Sequence, residues 1–395
     1  MKNRISFLLL FLTITYISGC RAPVQRRAVK VPYDNPLPQG QNALRKITNL
    51  SEIPDFTVAC LDLTDLRLSI ENSLDYLNKP SSQNFFPCSG ISHQRNVNSL
   101  RAFAELLDSG LTGRKLHEAI IHKFDVYESI GCDSYGTVLF TGYYTPVFEG
   151  SSRRTRQFRY PLYKMPSDLV KSPEGEILGQ RLPGGTIRPY PSRTVIEDTG
   201  MLKGNELIWL SDPFEVYIAH VQGSAKIRLP KGELITVGYA ANNGYEYRSI
   251  AEELIRDGKI TGSKISLAAM IDYFKANPEQ INTYVRRNPR FVFFRIEEGP
   301  PLGSLNEPVT PVRSIATDKS IFPRGALTFI STTLPRVTGG AIANRTYSGF
   351  ALDQDTGGAI RAPGRCDVYM GQGDEAGKLA GQIYQEGRLY YLFLK

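Results

Sequence analysis

The 395-residue chain is short of the residues that hold metals, with five cysteines and four histidines. No two cysteines form a C-x-x-C pair, and His93, His117, His122 and His220 show no His-x-x-x-His spacing. The usual ligand patterns of zinc are therefore missing, and neither a metal nor a cofactor is expected. No arginine-rich cluster or nucleic-acid motif accompanies the formal net charge of +8. The charge reads as a solvated basic surface that favours anionic groups, and no nucleic-acid partner is expected. An apolar run that could span a bilayer is lacking too, because the stretch from Ile5 to Ile17 is too short. Glycine and proline are plentiful, at 35 and 25 residues, which favours short strands and turns over a helical bundle. The length suits two domains of ordinary size.

That short apolar run has a function of its own. Lys2 and Arg4 precede it and Ile17-Ser18-Gly19-Cys20 follows, the layout of a cleaved export signal. Ser-Gly directly before Cys20 resembles a bacterial lipobox, which makes Cys20 the expected lipidation site and new N-terminus. Residues 20–41 then read as a polar, proline-containing tether. No aspartate follows Cys20, so by analogy with proteobacterial sorting the expected location is the outer membrane, facing the periplasm. The remaining cysteines, Cys60, Cys88, Cys132 and Cys366, allow three full disulfide pairings in an oxidising compartment.

Helical spacing of Leu66, Ile70, Leu74 and Leu77, and again from Val97 to Leu107, predicts helices in the region before residue 130. A β-branched and aromatic strand follows at Thr137–Phe148, and Pro146 interrupts it. Ser151-Ser152-Arg153-Arg154 marks a change to a second domain. Within that domain Asp212-Pro213-Phe214-Glu215 starts a helix that Gly223 stops, and Ser249-Ile250-Ala251-Glu252 is a capping box. Asn288-Pro289-Arg290 marks the return, with further strands predicted at Phe291–Arg295, Val309–Ala316 and Ala326–Ser331.

The stretch from Tyr347 to Gly381 places Asp353, Asp355, Asp367 and Asp374 among eight glycines. Asp355 comes where a strand runs out into Gly357-Gly358, which suits an acid held at a cleft; the same pattern also suits a plain turn cap. The run Ala351–Ile360, with Asp367–Gly373 and Ala376-Gly377, resembles the C-terminal "3D" region of the lytic murein transglycosylase A family. The resemblance extends over about residues 130 to 395 through Phe140-Thr141-Gly142-Tyr143-Tyr144-Thr145-Pro146 and Val221-Gln222-Gly223-Ser224-Ala225.

This resemblance implies a mainly β fold with some α, in which an inserted, mostly β domain interrupts a double-psi β-barrel. The expected organisation is a signal at 1–19, the tether, helices and first barrel part at 42–150, the insert at 151–288, and the second barrel part at 289–395. The implied activity is cleavage of the MurNAc–GlcNAc bond of peptidoglycan, leaving 1,6-anhydro ends. Most glycosidases need two carboxylates. In this family the sugar's own C6 hydroxyl replaces water, so one carboxyl serves twice. Asp355 is expected to be that acid, needing a raised pKa, with Asp367 second. Tyr143, Tyr144, Thr145, Gln222 and Ser224 are expected along the glycan groove, and Gly357 and Gly358 are expected to offer backbone N–H groups. A two-residue shift would give the acid's part to Asp353, although only Asp355 precedes Gly-Gly. Peptidoglycan strands, the membrane and a cell-wall complex are the expected partners. Two rival readings are a non-catalytic wall-binding module and an aspartic protease with Asp198-Thr199-Gly200 and Asp355-Thr356-Gly357 as its pair. Glu197 and Gln354 argue against the protease, where apolar residues should precede each aspartate.

Overall fold

The structure is a computed structural model that describes residues 33–395 apart from 39, 174 and 262–266. The expected signal, Cys20 and most of the tether lie outside the described residues. Among the described residues no helix is long and apolar enough to cross a membrane.

Six strands close a barrel. In order around it they are Tyr384–Leu394, Leu327–Thr338, Ala341–Asp355, Ser314–Ala316, Arg365–Gln372 and Val138–Thr145, and the last pairs back with the first. Ser314–Ala316 runs parallel to Ala341–Asp355, and Arg365–Gln372 runs parallel to Val138–Thr145. The other pairings are antiparallel. Leu44–Lys46 and Phe124–Ser129 extend the sheet beyond the barrel.

Period-two alternation sorts these strands between two apolar environments. Ile330, Ala351, Leu389 and Tyr391 join one buried cluster with Phe140, Ile315 and Val368. Their neighbours Phe329, Phe350, Leu352 and Leu392 join another, with Ile70, Leu100, Phe103 and Leu116 from the N-terminal helices Leu66–Leu77, His93–Asp108 and Gly113–Lys123. The helices predicted from periodicity are therefore the cover of one barrel face.

The insert has its own six-stranded sheet in the order Val292–Glu297, Leu234–Asn242, Ala225–Arg228, Val147–Ser151, Glu206–Leu210, Tyr160–Tyr163. A single bridge from Lys164 to Phe294 brings its two edges together. Pro213–Gln222 begins as predicted, with Asp212 Oδ1 accepting from Phe214 N at 2.7 Å, and ends at Gly223 with φ +77°. Ser249 caps Ile250–Arg256 by accepting from Glu252 N.

Strand pairing moves three predicted boundaries. Val147–Ser151 belongs to the insert, so the crossing falls at Pro146 rather than 151; Pro146 has no N–H to continue the barrel ladder. Val292–Glu297 also pairs within the insert, which places the return after Glu297 instead of at 289. The strand predicted at Val309–Ala316 shrinks to Ser314–Ala316, because Pro311 lacks a donor and Val312 takes φ +61°. Cys60, Cys88, Cys132 and Cys366 are all free thiols.

Gly142 lets the helix Gly373–Ala380 sit on the Val138–Thr145 strand, since a methyl group there would lie 2.8 Å from both Cα and O of Ala380. Gly142→Ala is expected to destabilise the fold by about 1–3 kcal/mol through overpacking. Urea denaturation checks this, and an unchanged midpoint would refute it.

Candidate active site

Asp355 is the last residue of Ala341–Asp355 and is half-buried. Its Oδ1 accepts from the backbone N–H of Ser304 and of Thr356, both at 2.8 Å. Ser304 reaches it because Gly303 has no side chain: a Cβ at 303 would lie 2.8 Å from Gln354 O and 3.3 Å from Asp355 Cγ. Burial raises the Asp355 pKa, while the two N–H donors, Tyr143 and Lys319 pull it back. Both N–H groups hold Oδ1, and the Tyr143 hydroxyl is the side-chain hydrogen-bonding neighbour of the carboxyl, which leaves Oδ2 as the oxygen to carry a proton.

Strand register places the second acid. Ala316 is the partner of Asp355 on one side and of Asp367 on the other. The two aspartates thus stand two strands apart, about 10 Å between backbones, with only a methyl side chain between them. Thr141 follows Asp367 on the next strand. Burial raises the Asp367 pKa as well, opposed by Thr141 and Arg365 and reinforced by the charge of Asp355. Asp367 Oδ1 is buried without a hydrogen bond of good geometry, as is Thr141 Oγ1.

The tyrosines divide the work. Tyr143 lies beside Asp355, whose charge adds to burial in raising the phenol's pKa; its hydroxyl completes no well-aligned hydrogen bond. Its ring meets that of Tyr369 at 5.1 Å between centroids. Tyr369 OH bonds Thr145 Oγ1 at 3.0 Å, and Ser224 Oγ of the insert makes a long 3.5 Å contact with the same threonine. A line of hydroxyls therefore runs from Ser224 to the neighbourhood of Asp355. Thr145 is only 1% exposed and acts as its joint. Gln222 Oε1 accepts from Tyr144 N at 3.0 Å and pins the strand end to the insert. Tyr144 departs from its expected place in the groove. Its ring is in the barrel core, against Gly377, because Gly142 and the helix beside it turn that face inward. Gly357 and Gly358 form the loop after the acid.

Asp353, two residues earlier, is fully buried and saturated. It pairs with Lys319 and accepts from Thr317 Oγ1 at 2.9 and 2.7 Å and from Tyr391 OH at 2.8 Å. A carboxylate so occupied serves the fold. His220 is also structural: burial and the adjoining Arg193 hold it well below its ordinary pKa, and Arg193 Nη2 lies 2.9 Å from its Nδ1. The protease reading fails on Asp198, which sits on the helix Arg193–Thr199 and pairs with Arg286 at 2.7 Å.

Sequence reasoning missed Ser304, Tyr369, Thr317 and Lys319. Tyr369 was within the motif stretch and lies two residues from Asp367, on the same face of the strand, which was the available signal. Ser304 and Lys319 carried none, since their partners are 51 and 34 residues away.

Both domains match known family models: residues 139–295 match the MltA specific insert domain and residues 313–393 the 3D domain. The chain is 30% identical over 337 residues to membrane-bound lytic murein transglycosylase A of Escherichia coli K12, covering 82% of this chain and 86% of that protein. To the protein of the same name from Vibrio cholerae it is 32% identical over 274 residues, covering 67% and 68%. Among solved structures it is similar to a membrane-bound lytic murein transglycosylase from Agrobacterium tumefaciens, at TM-score 0.73 and 25% identity, over 89% of this chain and 98% of the other. Escherichia coli MltA with bound chitohexaose matches at TM-score 0.67 and 25% identity, over 91% and 98%.

Because burial raises the Asp355 pKa, folding favours its neutral form. Its stabilising contribution is present below the unfolded-state pKa and is lost as pH rises through the folded value. Asp355→Asn, which keeps the acceptor for the two N–H groups, is expected to melt higher than wild type at neutral pH, with the gap closing in acid. Melting curves across pH test this; a gap that widens in acid would contradict it.

Proposed function

We propose, starting from the fact that the chain belongs to the lytic murein transglycosylase A family, that Asp355 is the acid and base of a peptidoglycan lytic transglycosylase. The observation that carries this is the half-buried carboxyl at a strand end, its Oδ1 held by two N–H groups and the Tyr143 hydroxyl beside it. The protonated Oδ2 gives its proton to the glycosidic oxygen between MurNAc and GlcNAc as the bond to C1 breaks. Positive charge develops at C1 and the ring oxygen, and Asp355 is left as a carboxylate stabilised by the N–H groups of Ser304 and Thr356. The C6 hydroxyl of the same MurNAc then attacks C1 and passes its proton to that carboxylate. One bond breaks and one forms, no water enters, and the acid is restored with a 1,6-anhydro end as product.

A single acid suffices because the nucleophile arrives with the substrate. Asp367 supports the reaction from across Ala316 through its negative charge, which favours the positive charge developing at C1. Tyr143 presents a ring face and hydroxyl beside the acid, and Ser224 and Gln222 line the insert's side of the groove. The N–H groups of Gly357 and Gly358 are further donors towards the glycan. Thr145 acts through Tyr369, and Tyr144 through the strand end that it anchors. The Escherichia coli relative was solved with chitohexaose bound, which supports a glycan as the ligand of this chain. The relatives' names support association with a membrane; a lipid at Cys20, an outer-membrane location facing the periplasm and a place in a cell-wall complex are further parts of this proposal.

Asp355→Asn is expected to reduce release of anhydro-muropeptides from sacculi by at least about 10²-fold, within the usual range for loss of a general acid. Asp367→Asn is expected to reduce it less. Mass spectrometry of soluble products is the measurement. Hydrated ends from the wild type would replace this mechanism with hydrolysis, and retained binding without cleavage would favour the wall-binding module.

A further inference from the structure

Arg290 is an unmatched cation beside the loop that follows Asp355. Its backbone is fixed on the return from the insert: Arg290 N donates to Asn288 Oδ1 at 3.2 Å, and Arg193 Nη2 donates to Arg290 O at 2.7 Å. Its half-buried side chain makes one hydrogen bond, from Nη1 to Tyr245 O at 2.9 Å. No carboxylate among the described residues lies within ion-pair distance of it. Other arginines in similar surroundings are matched: Arg313 donates to three carbonyls and Asp62, and Arg287 pairs with Glu253 and Asp257.

The guanidinium rests on the loop that follows the acid. A methyl group on Gly358 would lie 3.2 Å from Arg290 Nε and 3.4 Å from its Cζ. Gly358 is three residues from Asp355, at most about 10 Å along the chain. Arg361 continues the same loop, with its nearest carboxylate, Asp318, at 3.9 Å. Burial disfavours the charged form of Arg290; Tyr239 opposes this, and the charge of Arg361 adds to it more weakly. Two like charges gathered on an active-site loop cost stability unless an anion joins them, and a guanidinium with four unused donors is shaped for a carboxylate.

We propose that Arg290 is a specificity residue that binds a carboxylate of the peptidoglycan strand, either the lactyl carboxylate of a bare MurNAc or a carboxylate of a stem peptide, in the subsite beside Asp355. This rests on the functional reading above. A Cβ at Gly358 would press on the guanidinium and require it to shift by a few tenths of an ångström.

The test compares three ligands by calorimetry in the Asp355→Asn background: chitohexaose, which has no carboxylate; peptide-stripped glycan strands, which carry lactyl carboxylates; and peptide-bearing strands. Adding Arg290→Gln is expected to weaken binding of carboxylate-bearing strands by about tenfold to a hundredfold, the effect of losing a charged hydrogen bond, and chitohexaose by less than twofold. Arg290→Lys is expected to recover part of the loss, and added salt to shrink the difference. Loss confined to one kind of strand identifies the carboxylate. Equal loss on all three ligands would make Arg290 a prop for the loop and overturn the proposal, as would no loss on any. These binding results judge Arg290 even if wild-type protein releases no anhydro ends, an outcome that would defeat the catalytic reading alone.

Discussion

The buried pair of Lys319 and Asp353 is the contact on which the site's geometry depends. Both side chains are sealed in the barrel, where an unpaired ammonium or carboxylate would be costly. Burial pulls the lysine pKa down and Asp353 holds it up, so the buried ammonium depends on its partner. Thr317 and Tyr391 satisfy the remaining lone pairs, which makes the group a closed polar network rather than a lone salt bridge. Thr317 also ties the network to the acid: its N–H donates to Asp355 O, and its carbonyl accepts from Thr356 Oγ1. The backbone on both sides of the candidate acid is thereby fixed to one point in the core.

A second set of ties runs outward. Gln354, between the two aspartates, is fully buried; it accepts from Ser314 Oγ and donates to Ser69 O and Ser73 Oγ of the first N-terminal helix. Three consecutive residues therefore face three tasks, with Asp353 holding the core, Gln354 the helical cover and Asp355 the groove. The insert reaches the same point through Gln222 and Ser224. A site assembled from five separated segments keeps its shape because each segment is anchored behind the reacting groups, as preorganised electrostatic catalysis requires.

What was legible in the sequence follows from the range of the interactions. Helix caps at Asp212 and Ser249, the stop at Gly223 and the strand ending at Asp355 are local, and each appears where its residues predicted. The candidate acid was legible because a carboxylate before Gly-Gly matched a family motif. Strand membership was not, since Val147–Ser151 and Val292–Glu297 look alike whichever sheet they join; the pairing partner decides. Tyr143 and Tyr144 are adjacent and chemically identical, and only the close approach at Gly142 shows which one faces the core. Arg290 looked like turn punctuation after Asn-Pro. Its unmatched charge becomes visible only with its neighbours in space.

The Tyr384–Leu394 strand pairs with Leu327–Thr338, with Val138–Thr145 and with Phe124–Ser129. It also supplies the Tyr391 hydroxyl to Asp353. The barrel therefore cannot close, nor its polar centre be completed, until the C-terminal segment is in place. Contacts spanning about 250 residues make this a late and slow event in folding. The order of the strands thus makes the surroundings of the candidate acid depend on the last stretch of the chain, which must join the barrel before they are complete.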